Sequence, residues 1–294
     1  MKRIRSLPRL PRRARDANKG DFGRVLVVGG SQGMIGAPAL TANAALRGGA
    51  GLATVAVPQP IQPFVAVLCP CATFLPLPTD RVGELDASAV GQVLDCAGRC
   101  DVLAVGPGMG IGTRQQDIVR AVLGQDLPAV IDADGLNNLA KIDGWPVLRR
   151  CPLVLTPHPG EFARLTGGTV KDIQADRGGL AASAAQAWGR AGSKDAPLVC
   201  VLKGAGTVVT DGRRLYVNST GNPGMATGGA GDVLTGLLAA LIGQGLEPFE
   251  AACLAVHVHG LAGDLAAKAL GEISLTTSNL LDSLPAAMKE TIGR

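Results

Sequence analysis

Residues 24–57 read RVLVVGGSQGMIGAPALTANAALRGGAGLATVAV, and this stretch decides the fold. Its two short apolar runs, Arg24–Val28 and Leu52–Val57, are rich in valine and predict buried strands. Between them, a glycine loop precedes the alanine-rich run Ala37–Arg47, which predicts a helix. A helix between two short buried strands is typical of a crossover that joins parallel neighbours in a sheet.

The same alternation of apolar runs and helical stretches recurs along the chain. Further strands are predicted at four runs: Val102–Val105, Ala129–Asp132, Leu153–Leu155 and Leu198–Leu202. Helices are predicted at Arg114–Leu123, from Glu161 onward, and at Asp232–Ile242, Phe249–Leu270 and Asn279–Lys289. This pattern predicts an α/β fold with a mainly parallel central sheet and helices on both faces.

One pair of strands is predicted to be antiparallel. The runs Thr207–Thr210 and Arg214–Val217 flank Asp211-Gly212, a dipeptide that favours a tight hairpin turn. No repeat or linker divides the rest of the sequence. Residues 19–294 are therefore predicted to form a single domain.

Basic residues are concentrated at the N-terminus. Residues 1–20 contain eight Lys or Arg and one Asp, whereas the whole chain of 294 residues has a net charge of +4. The remainder is therefore slightly acidic. An arginine-rich segment of this kind could contact nucleic acid or a membrane, but we favour a solvated, disordered tail at residues 1–18. No nucleic-acid or membrane partner is expected.

Composition argues against several other classes of protein. Aromatic residues make up 3% of the chain, too few for platforms that stack nucleic-acid bases. No apolar segment follows the basic residues as in a secretory signal, and no run approaches the ~20 apolar residues of a membrane-spanning helix. Seven cysteines without paired CxxC spacing predict reduced thiols in a cytoplasmic protein and no zinc site.

The segment NPGMATGGAGDVL at residues 222–234 carries the strongest chemical signal. Glycines at 228, 229 and 231 precede an apolar helix, and backbone N–H groups at such a helix start favour a phosphate or a developing negative charge. The segment lacks the Lys-Ser/Thr ending of a P-loop. The alternative interpretation is a plain glycine-rich turn, with Asp232 merely suited to the first helical turn.

Asp232 follows this glycine segment directly. A carboxylate there can orient or deprotonate a hydroxyl group while the glycine amides stabilise the phosphoryl group that the hydroxyl attacks, as in a kinase. The helix N-terminus is expected to lower the pKa of Asp232, so that the side chain is anionic at neutral pH.

The stretch MATGGAGDVLTG at residues 225–236 resembles the anion-hole and catalytic-aspartate motif of the ADP-dependent NAD(P)H-hydrate dehydratases, a family of the ribokinase-like superfamily. Further segments resemble that family in the same order: KGDFGRVLVVGGS at 19–31, GPG at 106–108, DADGLN at 132–137, LTPHPGEF at 155–162 and LKGAGT at 202–207. Together they span residues 19–243. Asn18 and Gly135 depart from the family's common His and Ala, away from the implied chemistry.

The resemblance implies roles for individual residues. Asp232 would activate the substrate hydroxyl, and Glu161 would position Mg²⁺ through water. The anion hole is implied at Gly228, Gly229, Ala230 and Gly231. The hydrated nicotinamide dinucleotide would be lined by Ala37, Gly108, His158 and Asp232. The adenine nucleotide would be bound by Lys203, Gly204, Ala205, Gly206, Thr207 and Gly231.

Some of these residues have plainer alternatives. His158 could be a loop histidine that packs against the sheet edge, and Glu161 could simply stabilise a helix start after Pro159. His257 and His259 lie two residues apart on a predicted helix and point to different faces. They are therefore expected to pack rather than to share a metal.

The activity implied by the resemblance is that of a repair lyase, the ADP-dependent dehydration of hydrated NADH or NADPH. Phosphorylation would turn the ring hydroxyl into a good leaving group, and elimination would restore the cofactor with release of AMP and phosphate. The resemblance also implies Mg²⁺, a homo-oligomer such as a tetramer, and a separate NAD(P)H-hydrate epimerase as functional partner.

Two rival functions stay open from the sequence. A ribokinase-like kinase for a vitamin precursor or a sugar would use the same glycines and Asp232 but release a stable phosphorylated product. A noncatalytic nucleotide sensor could keep the fold, although the intact glycine segment and Asp232 argue against it. A nicotinamide-dependent dehydrogenase is disfavoured because the loop at residues 28–33 lacks GxGxxG spacing.

Overall fold

The computed structural model describes residues 1–293, which contain a ten-stranded sheet covered by helices. The strands are β1 (Lys2–Arg3), β2 (Arg24–Val28), β3 (Leu52–Pro58), β4 (Thr73–Leu77), β5 (Val102–Val105), β6 (Ala129–Ile131), β7 (Leu153–Leu155), β8 (Leu198–Leu202), β9 (Val208–Thr210) and β10 (Arg214–Val217). They lie in the order β1-β10-β9-β8-β7-β6-β5-β2-β3-β4.

Most neighbouring strands in this sheet are parallel. The seven strands that follow one another across the sheet as β4, β3, β2, β5, β6, β7 and β8 all pair in parallel. By contrast, β9 pairs antiparallel with both β8 and β10. The β9–β10 pair turns at Asp211-Gly212, so the hairpin predicted from that dipeptide is confirmed. The predicted α/β class with a mainly parallel sheet is also confirmed.

Twelve α-helices cover the sheet in the described residues. They are α1 (Gly36–Arg47), α2 (Gln62–Leu68), α3 (Ala89–Ala97), α4 (Thr113–Leu123), α5 (Asp134–Leu139), α6 (Trp145–Leu148), α7 (Pro159–Thr166), α8 (Val170–Ala175), α9 (Arg177–Ala191), α10 (Ala230–Gly243), α11 (Pro248–Leu270) and α12 (Thr277–Ile292). Among these residues, no helix has both the length and the apolar character needed to cross a membrane. All seven cysteines are free thiols.

The core divides into two clusters, one on each face of the sheet. Val25 and Val27 of β2 pack in a cluster with α1, α10, α11 and α12. Leu26 and Val28 of the same strand pack in the other cluster, with α3, α4 and α9. Because successive side chains of a strand point to opposite faces, a strand covered on both faces must be apolar throughout. This explains the unbroken apolar run of β2.

The N-terminal segment corrects the expectation of a disordered tail at residues 1–18. Lys2–Arg3 forms β1, which pairs with β10, and Leu10 is buried with Ile4 and Leu7 packed against the core. Arg13 donates a hydrogen bond to the carbonyl of Gly49 at 2.6 Å. The basic residues face solvent while the three apolar ones, spaced three apart, anchor the segment. Burial of those three apolar side chains stabilises the segment against the core, although the segment carries many positive charges.

The strand order places one crevice at the centre of the sheet. β2 and β5 are neighbours, although β3 and β4 lie between them in sequence. In open α/β sheets, ligands bind beyond the carboxyl ends of strands where the order reverses in this way. The loops that leave β2 and β5 touch there, because the amide of Gly30 donates to the carbonyl of Pro107 at 2.8 Å.

Candidate active site

The glycine segment predicted to hold an anion lies at the N-terminus of α10. Gly229 is the N-cap residue of this helix, and no side chain accepts a hydrogen bond from the first turn. The amides of Gly228, Gly229, Gly231 and Asp232 have no acceptor within residues 1–293, while that of Ala230 makes a long contact of 3.4 Å to the carbonyl of Thr227. Four free N–H groups at one helix start form a site suited to an anion.

Gly229 cannot be replaced without loss of this geometry. Its φ of +91° lies in the left-handed region, where a residue with a Cβ is strained. A Cβ atom there would also lie 2.7 Å from Cδ1 of Leu40 on α1. The segment is therefore packed tightly against α1 on one side. On the other side, a Cβ atom at Gly228 would meet no atom within 4 Å, so space for a ligand is open there.

Asp232 departs from the expectation of a lowered pKa. Burial and the nearby charge of Asp132 raise the pKa of Asp232 from 3.8 to about 7, and Lys203 offsets only part of that rise. Asp134 and Glu161 add to the rise. The favourable field of the helix N-terminus is thus outweighed by desolvation and by other carboxylates. A carboxyl group with this pKa is a better proton acceptor than a surface aspartate.

Lys203 lies directly beneath the first turn of α10. Its Nζ donates to Oδ1 of Asp132 at 2.5 Å and lies 3.8 Å from Oε2 of Glu161. A Cβ atom at Gly231 would be 3.2 Å from that Nζ. Burial alone would lower the pKa of Lys203, but Asp132 and Glu161 outweigh it and raise the pKa above its usual value. The amine is therefore a fixed cation beside the free amides.

Asp132 fixes the position of that cation. It is 1% exposed, and its Oδ2 accepts a hydrogen bond from Thr235 of α10 at 2.7 Å. Burial would raise the pKa of Asp132, but Lys203 and its hydrogen bonds lower it below the usual value. Asp132 thus stays ionised and links β6, β8 and α10 through one carboxylate.

The start of α7 lies on the other side of Lys203. The His158 Nδ1 accepts hydrogen bonds from the amides of Gly160 and Glu161, and Glu161 Oε2 accepts from the amide of His158 at 2.7 Å. These reciprocal bonds form a capping box. Burial raises the pKa of Glu161 to about 7, and burial lowers that of His158. Both residues thus stabilise the start of α7. For Glu161, this is the role that its plainer alternative predicted.

Ala37 and Gly108 meet at the crevice between β2 and β5. A Cβ atom at Gly108 would lie 3.0 Å from Cβ of Ala37 and 3.0 Å from the carbonyl of Met34. Gly108 also has a φ of +62°, which favours glycine. Only a residue without a side chain lets the two loops approach this closely. Nearby, the amide of Gly110 donates to Asp134 at 3.0 Å, and Asp134 acts electrostatically on Asp232.

The predicted nucleotide loop follows β8. Within it, Thr207 Oγ1 donates to the carbonyl of Gly204 at 2.9 Å, and the amide of Lys203 donates to the carbonyl of Pro157 at 2.8 Å. Arg177 of α9 donates to the carbonyls of Leu202 and Lys203. The loop is exposed at residues 204–206, so its backbone is open to a ligand while its ends are held.

Sequence reasoning missed three residues of this site. Asp132, Thr235 and Arg177 were assigned no role, yet they hold Lys203 and its loop. A signal for Asp132 was present, because it directly follows a buried strand and the carboxyl ends of such strands form the ligand site. Arg177 lies in a helix that the sequence pattern did not reveal.

No group of three or more His, Cys, Asp or Glu suited to a metal is present in residues 1–293. Protein enzymes that bind nucleotides usually hold Mg²⁺ through one or two carboxylates, with substrate phosphates and water completing the shell. The carboxylates beside Lys203 fit that limited contribution. Arranged together, a cation, free amides and a high-pKa carboxyl group suit transfer of a phosphoryl group to a hydroxyl.

The chain is similar in sequence to known proteins. A sequence profile described as NAD(P)H-hydrate dehydratase matches residues 25–286. The bifunctional NAD(P)H-hydrate repair enzyme Nnr of Moorella thermoacetica is 46% identical over 283 residues, which cover 95% of this chain and 52% of that enzyme. The chain spans about half the length of the curated relatives it matches.

Solved structures match over nearly the whole chain. An ADP/ATP-dependent NAD(P)H-hydrate dehydratase from Bacillus subtilis superimposes with a TM-score of 0.80 at 30% identity, over 96% of this chain and 95% of that one. A ribokinase-like superfamily protein from Enterococcus faecalis gives a TM-score of 0.77 at 26% identity, over 97% and 93%. The fold therefore matches ribokinase-like neighbours, as predicted from the sequence.

Proposed function

This chain belongs to the NAD(P)H-hydrate dehydratase family, and from that premise we propose that it catalyses the ADP-dependent dehydration of hydrated NADH or NADPH. The observation that carries the proposal is the set of four free amides at the start of α10, with Asp232 in the same turn and the Lys203 ammonium beneath it. Such a set holds a phosphoryl group next to a proton acceptor.

The proposed reaction has two steps. In the first, the ring hydroxyl of the hydrate attacks the terminal phosphorus of ADP, its proton passes to Asp232, and the bridging bond to AMP breaks. In the second, the ring carbon–oxygen bond breaks, the neighbouring ring carbon loses a proton, and phosphate leaves. Hydroxide is a poor leaving group and phosphate a good one, which is why the first step is needed.

Each residue of the site has a separate role in this reaction. Asp232, whose pKa is raised to about 7, titrates near neutral pH, and its ionised form can accept the hydroxyl proton. The free amides and Lys203 stabilise charge on the transferring phosphoryl group. We assign the Lys203–Thr207 loop and Gly231 to the nucleotide, and Ala37, Gly108 and His158 to the dinucleotide hydrate.

We assign Mg²⁺ to this site as well, with Glu161 holding it through water and the nucleotide phosphates supplying other ligands. When bound, the ion would neutralise phosphate charge. The Bacillus subtilis relative was crystallised with ATP and Mg²⁺. ADP is the donor that we propose for this chain, and the choice between ADP and ATP is open to direct measurement.

The test supplies purified protein with NADH hydrate, Mg²⁺ and either ADP or ATP. Recovery of NADH absorbance and release of AMP are followed together. We expect both in equal amounts with ADP. A stable phosphorylated compound without NADH recovery would indicate a small-molecule kinase instead, and absence of turnover with either nucleotide would contradict the dehydratase function.

We further propose that an NAD(P)H-hydrate epimerase activity is the functional partner of this chain. The curated relatives are named bifunctional repair enzymes, and this chain spans about half their length. With a mixture of hydrate epimers, the purified protein should convert one epimer and leave the other. Addition of a purified epimerase should then carry the reaction to completion. Complete conversion without it would contradict the proposed partnership.

A further inference from the structure

Two side chains contact backbone carbonyl groups of the glycine segment, residues 228–231. His259 of α11 has its Nε2 atom 2.8 Å from the carbonyl oxygen of Ala230. Thr277, the first residue of α12, donates its hydroxyl hydrogen to the carbonyl of Gly228 at 2.6 Å. Neither residue belongs to the proposed chemistry. Both contacts end on carbonyl groups of the segment that provides the free amides.

The protonation of His259 follows from its contact. A carbonyl oxygen only accepts hydrogen bonds, so Nε2 must carry the hydrogen. Burial lowers the pKa of His259 to about 4, although the bond to Ala230 opposes that fall. The imidazole is therefore neutral in the physiological range and acts as a fixed donor. The contact that His259 makes is therefore one that positions the Ala230 carbonyl.

A bond to a carbonyl also sets the direction of an amide. The carbonyl of one residue and the N–H of the next belong to the same planar trans peptide and point in opposite directions. The Gly228 carbonyl, drawn toward Thr277, therefore directs the Gly229 amide away from α12. The Ala230–Gly231 peptide already has helical geometry as part of the first turn of α10, and His259 holds its carbonyl on the side of α11, opposite to the Gly231 amide.

The Thr277 bond matters most for the peptide between Gly228 and Gly229. Gly228 and Gly229 lie on either side of it, and glycine crosses between conformations that other residues avoid. If the peptide flipped, a carbonyl oxygen would replace the Gly229 N–H facing the ligand. A partial negative charge would then face a phosphate, and the stabilisation would be lost.

We propose that His259 and Thr277 are positioning residues that orient the Gly231 and Gly229 amides toward the transferring phosphoryl group. This inference rests on the proposed function for its substrate, and it adds residues from α11 and α12 to the catalytic apparatus. Removing one oriented donor of a site that stabilises negative charge lowers turnover by about 100-fold or more. Losing the anchor of a donor should cost less, about 10-fold to 100-fold.

The test uses paired substitutions at each position. Thr277→Val keeps the shape without the hydroxyl, and Thr277→Ser restores the hydroxyl. His259→Leu removes the donor, and His259→Gln restores an uncharged N–H at a similar reach. His257→Leu, on the same helix two residues earlier, is the matched control, because the ring of His257 makes no hydrogen bond within the described residues.

We expect Thr277→Val and His259→Leu to lower kcat by about 10-fold to 100-fold with a KM for the hydrate within about threefold. Thr277→Ser and His259→Gln should recover most of the loss, and His257→Leu should match the wild type. Circular dichroism and thermal unfolding verify folding. If His259→Leu fails to fold, the Thr277 pair alone decides the proposal, since its substitution is nearly isosteric.

A second measurement does not depend on the hydrate. The affinities of each variant for ADP and for AMP are measured by calorimetry with Mg²⁺, since only ADP carries the terminal phosphate that the amides would contact. Thr277→Val and His259→Leu should weaken ADP about 3-fold to 10-fold and leave AMP unchanged. If the wild type shows no turnover, the proposed function fails, and the ratio of ADP to AMP affinity still decides the positioning role.

Two results would overturn the inference. One is wild-type kcat and a wild-type ratio of ADP to AMP affinity in both Thr277→Val and His259→Leu. The other is an equal loss in the conservative variants, because packing rather than hydrogen bonding would then explain the effect.

Discussion

The helices α7 and α10 both begin beside Lys203, yet side chains cap the first turn of α7 and not that of α10. At α7, His158 and Glu161 satisfy the first amides with their own side chains. At α10, the N-cap is a glycine and four amides have no acceptor within residues 1–293. The same structural need, partners for the free N–H groups of a helix start, is met by the protein in one case and left open in the other.

The difference shows how stability and function are divided within one site. A capping side chain contributes about 1 kcal/mol, so α7 gains stability that α10 forgoes. A carboxyl group with a raised pKa is destabilising when ionised, and both starts carry one, Asp232 at α10 and Glu161 at α7. The helix start that lacks a cap is the one open to a ligand. Each prediction below changes one of the two termini.

The largest effect is expected from Asp232→Asn. The amide cannot accept the hydroxyl proton, and loss of a general base lowers turnover by about 1,000-fold. The shape of the site is retained, so ADP should still bind. Turnover is measured by NADH recovery and ADP binding by calorimetry. Full turnover in this variant would show that Asp232 has no part in the chemistry, and lost ADP binding would show a role in nucleotide contact.

A smaller loss is expected from Gly228→Ala. A Cβ atom there meets no protein atom within 4 Å and its φ is not in the left-handed region, so the fold should accept it. The methyl group would instead occupy the space proposed for the phosphate and lower kcat/KM by about 10-fold to 100-fold.

Gly91→Ala is the matched control for that substitution. Gly91 lies within α3, and a Cβ atom there also meets nothing within 4 Å. It should raise the free energy of unfolding by about 0.5–1 kcal/mol and leave turnover unchanged. If Gly228→Ala behaved in the same way, the space at α10 would not be a ligand site.

The third prediction concerns stability and pH. The pKa of Asp232 is raised from 3.8 to about 7 in the folded protein, so the folded state holds the proton more tightly than the unfolded one. Stability from this group is therefore full below pH 3.8 and is lost as pH rises toward 7. Asp232→Asn should consequently be more stable than the wild type at pH 8, by about 4 kcal/mol, and show little difference at pH 4.

Urea unfolding of both proteins at pH 4, 6 and 8 measures this difference. The gain should grow between the lowest and the highest pH. A constant difference across the range would mean that Asp232 has the same pKa in both states. That result would remove the electrostatic cost assigned to the start of α10.

The fold was largely predictable because its strands are continuous apolar runs. β2, β5, β7, β8 and β10 begin and end where the sequence predicts. The missed elements have weaker patterns: β4 has four of its five residues only partly buried or exposed with a proline among them, and α9 carries three glycines. The packing of residues 1–18 was missed because the high density of basic residues predicted a solvated tail. The three apolar residues Ile4, Leu7 and Leu10 anchor it instead.

The site was predictable only in part, for a physical reason. Glycine spacing before a helix reveals free amides, since that feature is local in sequence. The raised pKa of Asp232 depends on Asp132, Asp134 and Glu161, which only the fold brings near it. The contacts of His259 and Thr277 with the glycine segment likewise join residues at least 29 positions apart. The assigned binding roles of Ala37, Gly108 and His158 stay predictions.

The smallest effect is expected at the capped start of α7. His158→Ala removes the acceptor for two amides and should lower the free energy of unfolding by about 1 kcal/mol. His158→Asn should recover most of that stability, because asparagine is a good N-cap residue. Thermal and urea unfolding of the two variants measure the difference. Equal stability of His158→Ala and the wild type would contradict the capping role.

The same pair separates capping from contact with the substrate. About half of the His158 side chain is exposed (51%), so the ring can reach a ligand while its Nδ1 caps the helix. If the ring contacts the hydrate, both variants should raise the KM for hydrate by the same factor, about 10-fold, although only His158→Ala is destabilised. If KM instead follows stability and recovers in His158→Asn, His158 serves only the helix. The α7 terminus would then be purely structural, and the contrast with α10 would be complete.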